Sequence, residues 1–223
     1  MKNGYPVNLR LHDKRVVVVG GGRVAERKIS SLLIAQARVD VISPMITKRI
    51  EQWVQDQCVT WRPRLYHPGD ISGYALVIAA TSISEVNLAV QKEADGHGIW
   101  YNIVDHPELS NFIIPAVVRR GRLTLTVSTE GASPTLAQQI TQDWENRYGQ
   151  EYEIYLDFLY ECRVLILQYV TDEHVRQFIF KQMIQLDIWV KIRDGSFLVW
   201  KEDLLRTVKR DPCLAQVAPF LTS

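Results

Sequence analysis

The sequence predicts an α/β chain in which a parallel sheet wound with helices leads into a β-hairpin and then a helical tail. Three observations predict this. Val16–Val19 is a short β-branched run, followed at once by Gly20, Gly21 and Gly22 and then by a helical period. That is the pattern of a strand buried on both faces that turns into a helix. Further short apolar runs alternate with helical periods as far as Val104. Beyond that point two strand-like runs adjoin with no helix between them, and the last third carries only helical periods.

In chain order, Met1–Leu11 leads up to the sheet and His12-Asp13-Lys14 forms a polar turn. Val16–Val19 is the first strand. Ala25, Ile29, Leu32 and Leu33 then recur at helical spacing, and that helix should end near Gln36. Val39–Ile42 reads as a second strand stopped by Ser43-Pro44, followed by a helix over about Thr47–Asp56. Val59–Trp61 is a third short strand, and Tyr66–Asp70 a turn region. Ala75–Ala80 is a buried strand ending at Thr81, followed by a helix from Ser84 to Ala94 that Gly96 and Gly98 terminate. Ile99–Val104 is the fifth strand, completing a doubly wound domain over about the first half of the chain. Asn111–Val118 and Leu123–Ser128 form a hairpin with Arg119-Arg120-Gly121-Arg122 at its tip. Ser133-Pro134 opens a helix that runs to Tyr148 and stops at Gly149. Tyr152–Tyr169 and Glu173–Leu186 are helical, Asp194-Gly195 is a turn, and Leu204 and Leu205 belong to a last short helix.

Composition narrows the function classes. The chain has 223 residues, 47% hydrophobic and 23% charged, with Lys+Arg 26 against Asp+Glu 25 and a net charge of +1. No basic excess or charge run argues for nucleic acid, and no apolar run reaches membrane-spanning length or resembles a signal peptide. Cys58, Cys162 and Cys213 lie far apart and form no CxxC pair, which points to a reducing cytoplasm. His12, His67, His97 and His174 fall at no metal-ligand spacing, so no metal site is expected, while His106 stands beside Asp105 as a further titratable group.

The spacing Gly20-x-Gly22-x-x-Ala25 is a dinucleotide fingerprint with alanine as the third small residue, set in a Rossmann-like strand–turn–helix context. Gly20 permits the tight turn, Gly22 lets a pyrophosphate approach the backbone, and Ala25 allows close helix–strand packing. The helix N-terminus offers free N–H groups and partial positive charge. The acid that commonly binds the ribose about twenty residues later is missing. Ser43 and Pro44 stand there, Asp40 lies too early within its strand, and the residues leave NAD and NADP both open. The small residues at Thr81 and Ser82 suit the edge of a cofactor crevice. Asp105 follows the fifth strand and can accept a proton there or, alternatively, cap the turn before His106-Pro107. The basic hairpin tip can bind carboxylates or simply be solvated. The loop Ser128–Pro134 is either a second anion site or a well-capped turn.

Five segments occur in order: Val18–Lys28, Ala79-Ala80-Thr81, Asn102-Ile103-Val104-Asp105, Phe112–Ala116 and Ser128–Pro134. Together they make the chain resemble the precorrin-2 dehydrogenase family, the NAD-linked module of siroheme synthases, most strongly from about residue 5 to residue 148. The resemblance implies three parts: a NAD-binding domain over 1–110, a dimerisation region of hairpin plus helix over 111–148, and a helical C-terminal domain over 149–223. It implies oxidation of precorrin-2 to sirohydrochlorin with NAD as hydride acceptor, in a cytoplasmic homodimer of the stand-alone form. Some members also insert Fe(II), which this sequence leaves open. By the resemblance Asp105 is catalytic. The cofactor candidates are Gly20, Gly22, Arg23, Val24, Ser43, Pro44, Met45 and Thr81, and the candidate substrate contacts are Asn102, Arg119, Arg120 and Ser128. Arg122 is a further docking candidate. The rival expectation is a NAD(H)-sensing regulatory module without catalysis. It accounts for the glycines but not for the hairpin, the Ser-Pro-capped helix or the tail.

Overall fold

The computed structural model describes residues 4–104, 106–186, 188–210, 217, 219 and 220. The chain divides into two compact units, Met1–Ile114 and Pro115–Ser223. In the first, β1 (Arg15–Val19), β2 (Arg38–Ile42), β3 (Val59–Arg62), β4 (Leu76–Ala79) and β5 (Trp100–Ile103) form one sheet in the order β3-β2-β1-β4-β5, all parallel. Period-two alternation explains why the strands are apolar throughout. Val16, Val18, Val39, Val41, Leu76 and Ile78 face one side, with Ala25, Ile29 and Leu32 of α1 (Arg23–Ile34) and Ile50 of α2 (Lys48–Gln55). Val17, Val19, Val77, Ala79, Tyr101 and Ile103 face the other, with Val90 and Ala94 of α3 (Ser84–Gly96) and with Tyr66, Ile71 and Tyr74. Each buried valine, leucine or isoleucine among them contributes about 1.5–3 kcal/mol on leaving water. Truncating fully buried Ile29 to alanine should therefore cost about 2–5 kcal/mol.

The outer edge of β5 is covered without a sixth strand. Asn111 accepts from Tyr101 N at 2.8 Å and donates to Ile99 O at 2.9 Å through its side chain. Its own N–H donates to Tyr101 O at 3.2 Å, and Ser110 Oγ accepts from Ile103 N at 2.9 Å. These bonds explain the first departure from expectation. Residues 111–115 form no strand, because Ser110 and Asn111 are committed to β5 and Pro115 has no N–H to give a ladder.

In the second unit, β6 (Ala116–Arg120) pairs antiparallel with β7 (Leu123–Val127). Arg120 is opposite Leu123, so only Gly121 (φ +54°) and Arg122 make the turn. Arg119 and Arg120 are thus strand residues, not the tip. α4 (Pro134–Arg147) packs on this hairpin and is capped by Ser133 Oγ, which accepts from Leu136 N at 3.2 Å. α5 (Glu151–Tyr169), α6 (Glu173–Gln185), α7 (Ile188–Asp194) and α8 (Phe197–Arg210) close around Phe158, Cys162, Ile166, Ile179, Met183, Phe197 and Leu204. The last helix is longer than expected because Phe197, Trp200, Leu204 and Val208 continue one stripe. No described helix is long and apolar enough to cross a membrane.

Candidate functional site

β1 and β4 are neighbours in register, Val19 beside Ala79, yet α1 and α3 leave them for opposite faces of the sheet. Such a reversal opens a crevice beyond the carboxyl ends of the two strands. The three glycines line it, and each is glycine for a different reason. Gly20 has φ +124°, donates to Ile42 O at 2.9 Å, and would place a Cβ 2.3 Å from Ala80 O. Gly21 would place a Cβ 2.0 Å from Met45 O, and its carbonyl accepts from Thr47 N at 3.0 Å. Gly22 has an ordinary φ of −82° and a Cβ there would meet nothing within 4 Å. The first two are required by the chain's own packing, whereas the third is required by nothing in the chain. Gly22 is also the N-cap of α1 and gives it no side-chain cap. Open space above the first-turn N–H groups of a helix fits a pyrophosphate.

The β2–α2 loop forms the second wall. Ser43 is buried; its hydroxyl donates to Met45 O at 2.6 Å and its carbonyl accepts from Trp61 Nε1 at 2.9 Å. Thr47 caps α2 and donates to Glu26 Oε2 at 2.6 Å, tying this loop to α1. The Ser43 side chain is consumed in shaping the loop, while Pro44 and Met45 are exposed, Met45 to 79%. Asp40 is engaged elsewhere: it accepts from Tyr74 Oη and from Arg62 at 3.2 Å and pairs with Arg15 at 3.5 Å. Its position within β2 therefore serves the fold. On the β4 side, Thr81 Oγ1 lies 3.1 Å from Ile83 O and 3.1 Å from Asn87 Oδ1, and buried Asn87 donates to Thr81 O at 3.0 Å. Thr81 therefore offers the crevice mainly backbone. Arg23 is exposed and Val24 half-buried at the start of α1.

Asn102 is buried on β5 and donates to Phe112 O at 3.2 Å. Asp105 lies outside the described residues. Its neighbour His106 donates its N–H to Ile103 O at 3.2 Å, and its Nδ1 is 3.0 Å from Glu108 Oε1. The remaining candidates belong to the second unit. Arg119 is exposed on β6. Arg120 is half-buried, donating to Arg119 O at 2.8 Å and reaching Glu145 O at 3.5 Å. Arg122 is committed to Asp157 at 2.8 Å and lies 3.7 Å over the Tyr160 ring, a structural use of that arginine. Ser128 is exposed, and its Oγ accepts from Glu130 N at 3.2 Å. Among the described residues no three His, Cys, Asp or Glu gather at metal-binding distance. The sequence reading missed Gly21, Asn87 and the Ser110–Asn111 clasp. Gly21 was detectable as the middle of three glycines, but the two asparagines carry no local signal.

A parallel 3-2-1-4-5 sheet with this glycine cradle at its switch point defines a dinucleotide-binding protein. A family model described as NAD(P)-binding matches residues 7–116. The chain is 35% identical over 162 residues to the precorrin-2 dehydrogenase of Priestia megaterium, covering 73% of this chain and 80% of that one. It is 31% identical to the solved structure of SirC, precorrin-2 dehydrogenase, with a TM-score of 0.75 over 90% of this chain and 100% of that one. It is also 33% identical over 191 residues to the siroheme synthase of Methylobacillus flagellatus, covering 86% of this chain but 41% of that longer protein. The chain thus spans 30–41% of the length of the siroheme synthases it matches. It belongs to the precorrin-2 dehydrogenase family.

Proposed function

We propose that this chain is a NAD-dependent dehydrogenase that oxidises precorrin-2 to sirohydrochlorin in siroheme biosynthesis. The observation that carries the reading is Gly22, a glycine at a helix N-terminus that neither its conformation nor its neighbours require. Its family relatives supply the substrate. NAD, when bound, supplies the hydride acceptor.

The chain's residues have the remaining work. Gly20 and Gly21 hold the turn, Gly22 leaves room for the pyrophosphate, and the first turn of α1 with Arg23 and Val24 faces its charge. The backbone of Ser43, Pro44 and Met45 would hold the adenosine ribose in place of the missing acid, and the backbone at Thr81 would hold the nicotinamide side. Oxidation of precorrin-2 removes one hydride and one proton; the cofactor, when bound, would take the hydride, and the Asp105 carboxylate is the proposed acceptor of the proton. Sirohydrochlorin is more conjugated than precorrin-2. The protein therefore needs chiefly to orient one carbon and to remove a proton. Asn102, Arg119, Arg120 and Ser128 are assigned to the substrate and its carboxylates.

The assembly proposed is a cytoplasmic homodimer, with 1–110 as the cofactor domain, 111–148 as the dimerisation region and 149–223 as the helical domain. A two-stranded sheet supports it, because its edges gain from a cover, as do the exposed side chains of Val117 (38%) and, on α4, Leu136 (48%). Anaerobic incubation with precorrin-2 and NAD, followed by absorbance, tests the activity. Sirohydrochlorin should form only with the cofactor, and its absence would refute the assignment. Light scattering at micromolar concentration tests the dimer; a monomer would refute it.

A further inference from the structure

We propose that a groove in the second unit, between the α4–α5 corner and α7, binds a planar conjugated polycarboxylate. This ligand class rests on the function proposed above, whose product is such a tetrapyrrole. The groove is open to solvent, has a volume of about 560 Å³ and is lined by Arg147, Glu151, Tyr152, Trp189, Ile192 and Arg193. That volume lies within the common range of small-molecule sites, about 300–1,000 Å³.

Its wall is aromatic. Trp189 has ring centroids 4.9 Å from Tyr152 and 5.0 Å from Tyr155, and Tyr152 lies 5.0 Å from Tyr148. Both lining rings, Tyr152 and Trp189, are only half-buried, which leaves ring surface available for stacking. The rim is cationic. Arg147 ends α4 and Arg193 lies in the last turn of α7, positions where a helix C-terminus already favours a cation. The dipole does not account for their convergence on one groove. Nor does an ion pair, since neither guanidinium lies within 4.0 Å of a carboxylate among the described residues; the Arg147 guanidinium does lie 5.6 Å from the centroid of the Tyr148 ring, on the aromatic wall itself. Glu151 lines the same groove but is folded back on Gly149, where an added Cβ would stand 2.2 Å from Glu151 Oε2. Two guanidinium forks against one diverted carboxylate leave a net positive rim over aromatic faces. Guanidinium forks suit carboxylates, and ring faces suit a flat conjugated system.

The test is equilibrium dialysis of the full chain against uroporphyrin, a planar polycarboxylate, with Arg147→Gln/Arg193→Gln as the comparison. These arginines are exposed, and unchanged melting of the variant shows that it folds. The variant should bind the porphyrin of this groove about tenfold more weakly, while forming sirohydrochlorin from precorrin-2 and NAD at the wild-type rate. Citrate, a polycarboxylate without a ring, should compete poorly. Identical isotherms for wild type and variant overturn the groove, as does citrate competing on a par with uroporphyrin. Wild-type turnover with unchanged isotherms removes the groove and leaves the dehydrogenase standing. Loss of porphyrin binding in the variant without any wild-type turnover does the reverse.

Discussion

Replacing Gly22 by alanine separates cofactor binding from folding, because the two neighbouring glycines serve as internal controls. At Gly22 the backbone is already in an ordinary extended region and the new methyl meets nothing within 4 Å. Alanine is a poorer N-cap than glycine by about 0.5–1 kcal/mol, and the stiffer unfolded chain returns about 0.4–1 kcal/mol. Net stability should therefore stay within about 1 kcal/mol of wild type. The methyl does project into the space assigned to the pyrophosphate, so NAD affinity should fall at least about tenfold, or about 1.4 kcal/mol. Gly20→Ala should behave in the opposite way. Its φ of +124° strains any L side chain, and its Cβ would lie 2.3 Å from a backbone carbonyl that cannot swing aside. Strain and overlap together should cost about 3 kcal/mol or more, lowering the melting temperature by about 10 °C. Thermal melting and calorimetric NAD titration read the two effects separately. Wild-type NAD affinity in Gly22→Ala would refute the reasoning, whatever its stability.

Three further outcomes are expected. Asp105→Asn should lower sirohydrochlorin formation by about a hundredfold or more with unchanged NAD affinity, whereas near-normal turnover with lost stability would make it a turn cap. Asp70 is held below the usual aspartate range by its hydrogen bond from Arg64, opposed by burial and aided by His67 N–H. Its contribution to stability is thus present above the unfolded-state pKa and lost as pH falls through the lower folded value; Asp70→Asn should flatten the acid limb of a melting-versus-pH curve. Burial pushes the Cys162 thiol up to about 12, so iodoacetamide at pH 8 should label exposed Cys58 and spare Cys162 until denaturant is added, as peptide mass spectrometry would show.

The parallel sheet was legible because its code is local. Val16–Val19 is apolar on consecutive residues, which only burial on both faces explains, and Gly20 follows where the chain must turn. The hairpin was displaced because the decisive groups act at a distance. Nothing beside Asn111 in sequence announces that its amide will bond Ile99 and Tyr101. In the tail, α7 passed unseen because a helix of seven residues gives less than two full turns of periodicity. The crevice was partly legible: Gly20 and Gly22 stand in the fingerprint. Yet the work of Gly21 depends on Met45, which another strand brings near.

The clasp on β5 has a consequence for solubility. A bare edge strand invites the edge of another molecule, and such pairing ends in aggregates. Here two of the four covering bonds come from one carboxamide, whose oxygen faces an N–H and whose nitrogen faces a carbonyl. An aspartate at position 111 would set a carboxylate oxygen against the Ile99 carbonyl. The resulting repulsion would peel the 110–112 segment away and leave Trp100–Ile103 as a sticky rim. The solubility of this chain is thereby tied to the chemistry of a residue remote from the glycine cradle, and Asn111→Asp should show larger species by light scattering than the wild type.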